Sequence, residues 1–212
     1  YGLHTFSNTK SLDYVFDGYY SRNDYNRFHN EDDASFHSLV KEDYYYVKAN
    51  ANYSMTFSHR NRLAFSLFEF MRISDSEYTG TSTYNQNLRS SETILFADYS
   101  QRFGRFFFDI NPGLSFLTYR LRGMESINHL TPRLQARATY KIDKVQQLQF
   151  TFALGNTYPR INTINNVEQQ IDPIIILKGN PDMDNSILLN PRLSHTLNLN
   201  KFALQTGVSY FY

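Results

Sequence analysis

The chain has 212 residues, of which 21 are basic and 20 acidic, so its formal net charge is +1 and it offers no basic footprint for nucleic acid. It contains no Cys, which excludes a disulfide framework, a thiolate zinc site and a thiol nucleophile. Its 17% aromatic content is too apolar for a disordered chain, yet the mean hydropathy of −0.51 is low for one that buries a large soluble core.

No charged segment followed by an apolar run opens the chain, so a signal peptide is expected upstream of Tyr1. No run approaches the ~18–20 apolar residues of a transmembrane helix. At the other end, the alternating pattern is still running at Tyr212. The 212 residues therefore read as a segment of one longer domain.

The informative signal is a period of two. Strands are expected over 1–7 and 11–21, then over 42–58, where the pattern is clearest. Tyr45, Val47, Ala49, Ala51, Tyr53, Met55 and Phe57 alternate there with Tyr44, Tyr46, Lys48, Asn50, Asn52, Ser54, Thr56 and Ser58. A strand sends successive side chains to opposite faces, so one face is apolar and the other polar. Soluble strands average only ~5–6 residues. In the next strand, 62–74, the register stays open: Glu69 shares a face with Leu63, Phe65, Leu67, Met71 and Ile73, whereas Phe68 and Phe70 lie on the other. Further strands are expected over 91–101, 105–121, 132–142, 147–158, 191–199 and 202–212. Pro112 would by itself place 105–121 at a sheet edge or a bulge.

Links between these strands alternate in length. Short ones fall at 59–61, 102–105, 143–146 and near Asn200; long polar ones at 22–41, 75–90, 122–131 and 160–190. Short turns on one side and long loops on the other are the hairpin rhythm of an outer-membrane barrel. Tyr44, Tyr45, Tyr46, Tyr119, Tyr140, Tyr158, Tyr210 and Tyr212 fall near strand ends, where aromatic girdles sit at the headgroup level. The fold class is thus all-β: an antiparallel transmembrane β-barrel segment of about ten strands, with short periplasmic turns and long extracellular loops.

Chemistry-bearing motifs are sparse. None of the six His residues belongs to a His-Glu-x-x-His pair. Asp182–Met183–Asp184–Asn185–Ser186 starts like a calcium loop, but Ile187 and Leu193 stand where Gly and Glu are needed. No Gly-x-Ser-x-Gly elbow occurs, so no catalytic, cofactor or metal residues are assigned and the chain is not read as an enzyme. Lys48, Asn50, Asn52, Arg133 and Arg137 fall on the polar face and are the candidate ligand path; ordinary hydrated wall residues would look the same. Tyr78 and Tyr84 would stack on a sugar or pack a loop.

The segment from Leu154 to Tyr210 resembles TonB-dependent outer-membrane receptors, in the form common among Bacteroidetes-type proteins. The matching residues are Tyr158–Pro159–Arg160 at a strand end, Gly179–Asn180–Pro181 in the following loop, and Ser194–His195 with Leu197 and Leu199 opening the next strand. The family runs from Gly-Asn-Pro through Leu-Lys-Pro-Glu into that strand; here Asp182 to Asn190 intervene and the Glu is missing. The resemblance implies a 22-stranded barrel with an N-terminal plug, both plug and TonB box lying upstream of Tyr1. It also implies import of a scarce ligand (glycan, siderophore, peptide or similar) across the outer membrane. Implied partners are outer-membrane lipid, the TonB complex, the imported ligand and a surface lipoprotein. The alternative is a complete ten-stranded outer-membrane barrel acting as an enzyme or adhesin.

Overall fold

The computed structural model describes residues 1–31, 34–58, 61–80, 83–157, 160–170, 174–183, 185–199 and 201–212. Tyr158 and Pro159 of the strand-end motif, His59, Asp184 and Asn200 lie outside the described residues. The elements are β1 (Gly2–Ser7), β2 (Lys10–Glu31), β3 (Ala34–Ser58), β4 (Asn61–Thr79), β5 (Thr83–Phe103), β6 (Phe106–Leu121), β7 (Ile127–Lys141), β8 (Gln146–Asn156), α1 (Ile161–Ile164), β9 (Gln169–Gln170), β10 (Ile176–Leu177), β11 (Ile187–Leu199) and β12 (Phe202–Ser209). Ten strands form one antiparallel sheet in chain order, with β9 and β10 making a separate two-stranded ribbon. β1 and β12 are its two edges and do not pair with each other, so the ten strands do not close on themselves. No described helix is long and apolar enough to cross a membrane.

The register carries the sequence alternation across every strand. Phe108 stands opposite Ala138, Ala138 opposite Phe150, Phe150 opposite Leu193, and Leu193 opposite Val208. One apolar row thus crosses five strands. The same parity on β2 to β5 pairs Phe16 with Ala49, Ala51 with Leu67, and Leu67 with Leu95. Burial is inverted relative to a water-soluble sheet. Phe16, Phe65, Leu95, Phe116 and Phe150 on the apolar face are exposed, while Ser74, Ser90, Glu92 and Ser115 on the polar face are buried.

Two expectations need correction. The links 22–41 and 75–90 are not loops: β2 and β3 remain paired from Lys10↔Met55 to Glu31↔Ala34, and β4 and β5 as far as Thr79↔Thr83. The 25 residues of β3 span roughly 80 Å at ~3.3 Å each, far more than the ~9–11 residues that cross a bilayer. Beyond the apolar band both faces are mainly polar with apolar residues scattered on each, so alternation vanishes while backbone pairing continues. The link at 122–131 is likewise short, because β7 already begins at Ile127. Among the described residues, only the long link between β8 and β11 is irregular over most of its length.

The second correction concerns Pro112. It lies inside a central strand, between β5 and β7, not at an edge. β6 keeps its register with β7 at Pro112↔Leu134, but pairing with β5 lapses between Phe96↔Gly113 and Tyr99↔Ile110. Proline has no N–H to offer a second ladder, and the gap falls where that donor is missing.

The open register of β4 is settled by its neighbours. Glu69 pairs with Ala49 on β3 and Thr93 on β5, which puts it on the apolar face. Its carboxylate accepts from Ser91 Oγ at 2.7 Å and Thr93 Oγ1 at 2.5 Å. Phe68 and Phe70 therefore belong to the polar face.

Candidate functional site

The described residues of 160–186 do not hang free from the sheet. They fold back over the polar face and bring their own apolar side chains with them. Ile164 is buried against Leu88, Leu117, Tyr119 and Leu121, and Ile161 and Met183 pack on the same cluster. Polar anchors surround this core. Tyr78 Oη donates to the Gln170 carbonyl at 2.8 Å, Gln86 Nε2 to Asn166 Oδ1 at 3.0 Å, and Asn185 Nδ2 to Thr131 Oγ1 at 2.7 Å. Tyr78 stacks on Tyr84 with ring centroids 5.1 Å apart. Tyr78 is fully buried, so this pair packs the segment and Tyr78 presents no ring to a sugar. Burial raises the Tyr84 phenol above its ordinary pKa.

Gly179–Asn180–Pro181 is the clasp of the segment. Gly179 N donates to Asn165 O at 2.8 Å, and Asn180 N donates to Thr163 O at 2.8 Å. A Cβ on Gly179 would lie 2.6 Å from Asn165 N and 2.7 Å from Thr163 O, both backbone atoms that a side-chain rotation cannot move. Gly179→Ala is expected to cost about 1–3 kcal/mol locally and to release 160–186 from the sheet. Limited proteolysis would show it as faster cleavage within 160–186. Unchanged cleavage would remove the clasp role.

Between this segment and the polar face of β2–β5 lies a cavity of about 480 Å³. Tyr19, Tyr25 and Tyr44 form one wall, Arg27, Arg72 and Arg160 supply cations, and Glu42 supplies a carboxylate. Glu42 Oε1 accepts from Ser74 Oγ at 2.7 Å. Below the cavity sits a buried ion cluster. Glu92 Oε1 accepts from Arg133 Nη2 at 2.7 Å and from Ser115 Oγ at 2.8 Å; Arg72 Nη2 lies 3.6 Å from Oε2. An aromatic ladder runs alongside: Tyr19 to Tyr46 at 5.1 Å, Tyr46 to Phe70 at 6.4 Å, and Phe68 to Phe96 at 6.3 Å. The Arg72 guanidinium stands 5.1 Å from the Phe70 centroid, and Lys48 Nζ 5.9 Å from the same ring.

All five polar-face candidates share the face that carries this site, but they do not form one constellation. Asn52 bonds within the wall, to Asp13 and Ser66, and Asn50 stands opposite Phe68. Lys48 belongs to the aromatic ladder, and Arg133 to the Glu92 cluster. Arg137 stands opposite Asp109 in the register. None of the five lines the cavity. Arg72, Glu92 and the cavity tyrosines Tyr19 and Tyr25 were missed by sequence reasoning. The parity of β4 and β5 would have placed the first two on the polar face had the register been known. Among the described residues no group of three or more His, Asp or Glu is placed to hold a metal ion.

No family model and no curated protein sequence matches the chain. Solved structures do. The ferric preacinetobactin receptor BauA from Acinetobacter baumannii superposes over 99% of this chain with a TM-score of 0.71 at 9% identity. The chain has the barrel-wall fold of TonB-dependent receptors. The ferric citrate transporter FecA matches over 98% with a TM-score of 0.68 at 8% identity, and the ferric yersiniabactin uptake receptor FyuA from Yersinia pestis over 97% with a TM-score of 0.60 at 13% identity. The chain covers 36%, 32% and 33% of these three receptor chains, about a third of a receptor's length.

Proposed function

We propose that these residues are part of the barrel domain of an outer-membrane receptor that imports a ligand with energy delivered through TonB. The observation that carries this reading is the inverted burial: an exposed apolar face and a partly buried polar face, in a receptor-barrel fold. A wall of that kind places lipid on one side and an aqueous lumen on the other. On this reading the plug belongs to the rest of the protein, and the extended β2–β3 and β4–β5 hairpins stand outside the cell. The protein carries ligand and does no chemistry on it. The Gly179–Asn180–Pro181 loop supports the Bacteroidetes-type branch. In the lumen, Lys48, Asn50, Asn52, Arg133 and Arg137 form the hydrated wall along which the ligand moves.

The test is uptake in the organism that encodes the protein. Cells lacking the gene should lose accumulation of one limiting nutrient, and cells lacking TonB should lose it equally. Accumulation that survives loss of TonB would replace this reading with a passive channel.

A further inference from the structure

Register ties two arginines on the apolar face to the membrane interface. Tyr20 stands opposite Tyr45, Tyr45 opposite Ile73, Ile73 opposite Arg89, and Arg89 opposite Arg120. One row across five strands thus leads from paired tyrosines, their rings 4.9 Å apart, to paired guanidinium groups. Tyrosines of this kind mark the headgroup level of a barrel wall. β6 gives the same height independently. Its apolar-face residues Phe106, Phe108, Ile110, Pro112, Leu114 and Phe116 are all apolar, and this stretch of 11 residues matches the ~9–11 that cross a bilayer. Thr118 and then Arg120 follow, where the apolar stripe ends.

Arg89 and Arg120 are both exposed, and like charges directly opposite each other on neighbouring strands repel. Arg89 Nε donates to Asn87 Oδ1 at 3.2 Å, and Asn87 Nδ2 donates to Asp75 Oδ1 at 2.5 Å. Among the described residues neither arginine forms an ion pair with a carboxylate. Glu69, two rows towards the short turns, is taken by the Ser91 and Thr93 hydroxyls. Arg122 adds a third exposed cation one row further out, its N–H donating to Asn87 O at 2.8 Å.

We propose that Arg89 and Arg120 hold the phosphate of an outer-leaflet lipid, whose acyl chains lie along Phe116 and Leu114. A phosphate between the two guanidinium groups turns their repulsion into two charge-assisted contacts, and each planar fork of donors fits its oxygens. A lipid is the occupant because the pair continues the lipid-facing row, and its chains gain apolar contact that a free anion does not. The inference rests on the membrane orientation proposed above but not on import.

The experiment uses the full-length protein in non-ionic detergent and counts bound lipid by native mass spectrometry. The probe is dioctanoyl phosphatidic acid, and dioctanoylglycerol is its phosphate-free match. The phosphate lipid is expected to bind at least about tenfold more tightly, the scale of one charge-assisted hydrogen bond. Inorganic phosphate at the same concentration should not displace it. The double variant Arg89→Gln/Arg120→Gln should lose most of the preference. Both side chains are exposed, so the variant is expected to fold, which an unchanged heat-shifted gel mobility would confirm. Arg22→Gln removes a cation from the same face that is already 3.5 Å from Asp24, and should keep the preference. Equal binding of the two lipids, as a carboxylate already seated on the arginines would give, overturns the proposal. So does no binding of either, displacement by inorganic phosphate, an undiminished preference in the double variant, or an equal loss in Arg22→Gln. The two readings fail separately. A phosphate preference without TonB-dependent uptake removes the import reading alone. TonB-dependent uptake without a phosphate preference removes this inference alone.

Discussion

Replacing Glu92 by Leu is expected to lower stability by about 3–5 kcal/mol, the cost of stranding buried charge when its partner is removed. Glu92 and Arg72 are only 3% and 8% exposed, so water cannot take over the carboxylate's role cheaply. The substitution would leave two guanidinium groups facing each other across an apolar side chain. Ser115, fully buried, would lose its acceptor as well. Urea midpoints of the full-length protein refolded into lipid vesicles would measure the loss. The diagnostic comparison is the triple change Glu92→Leu, Arg72→Leu and Arg133→Leu, which removes the stranded charges along with the carboxylate. If the cluster is an electrostatic unit, the triple variant recovers most of the stability that the single variant loses. A single variant within about 0.5 kcal/mol of the parent would mean that the cluster is hydrated and its charges cheap.

How much of this was legible beforehand follows from where the two faces differ. The pattern from Tyr44 to Ser58 shows a strand because one side of it is apolar and the other polar. From Arg22 to Lys41 polar residues predominate on both sides and the few apolar ones, such as Tyr25, Phe28, Leu39 and Val40, are spread over both, so the same backbone geometry leaves no alternation and a paired hairpin reads as a loop. β4 resisted assignment for a different reason. Its polar face carries Phe68 and Phe70, and its apolar face carries Glu69, so local alternation gives opposite answers at adjacent positions. Pairing with Ala49 and Thr93 resolves it, and pairing is a property of three strands, not of one.

The site was less legible than the fold. Lys48, Arg133 and Arg137 were recognisable because they fall on clean polar rows opposite clean apolar ones. Arg72 lies on a strand whose register the sequence leaves open, and Glu92 at the start of one with no clean alternation, so neither was singled out. The cavity itself depends on 160–186 returning to β4 and β5. The contact from Tyr78 to Gln170 spans 92 residues of chain, and nothing local marks either end of it. The Gly-Asn-Pro motif was visible, but its work lies in closing 160–186 upon itself, which only the contacts to Thr163 and Asn165 reveal.

Phe150→Arg tests the orientation of the whole sheet. Phe150 sits in the middle of the apolar row from Phe108 to Val208, with Ala138 and Leu193 directly beside it. If that face meets lipid, a guanidinium there must leave water or draw water in, and folding into bilayers should weaken by about 2–4 kcal/mol. The neighbouring change Gln149→Arg introduces the same side chain into the same strand on the other face, between Thr139 and Ser194. In a hydrated lumen it should shift stability by no more than about 0.5 kcal/mol. The pair is informative because both changes add one positive charge and end in the same residue, one position apart. The medium on each side of the sheet is the main difference between them. A soluble β-protein would reverse the order: Gln149→Arg would put a charge into its buried polar face and cost more than Phe150→Arg on its exposed apolar face. Equal losses would show that neither face is in lipid, and with that result the receptor reading would have no membrane to stand in.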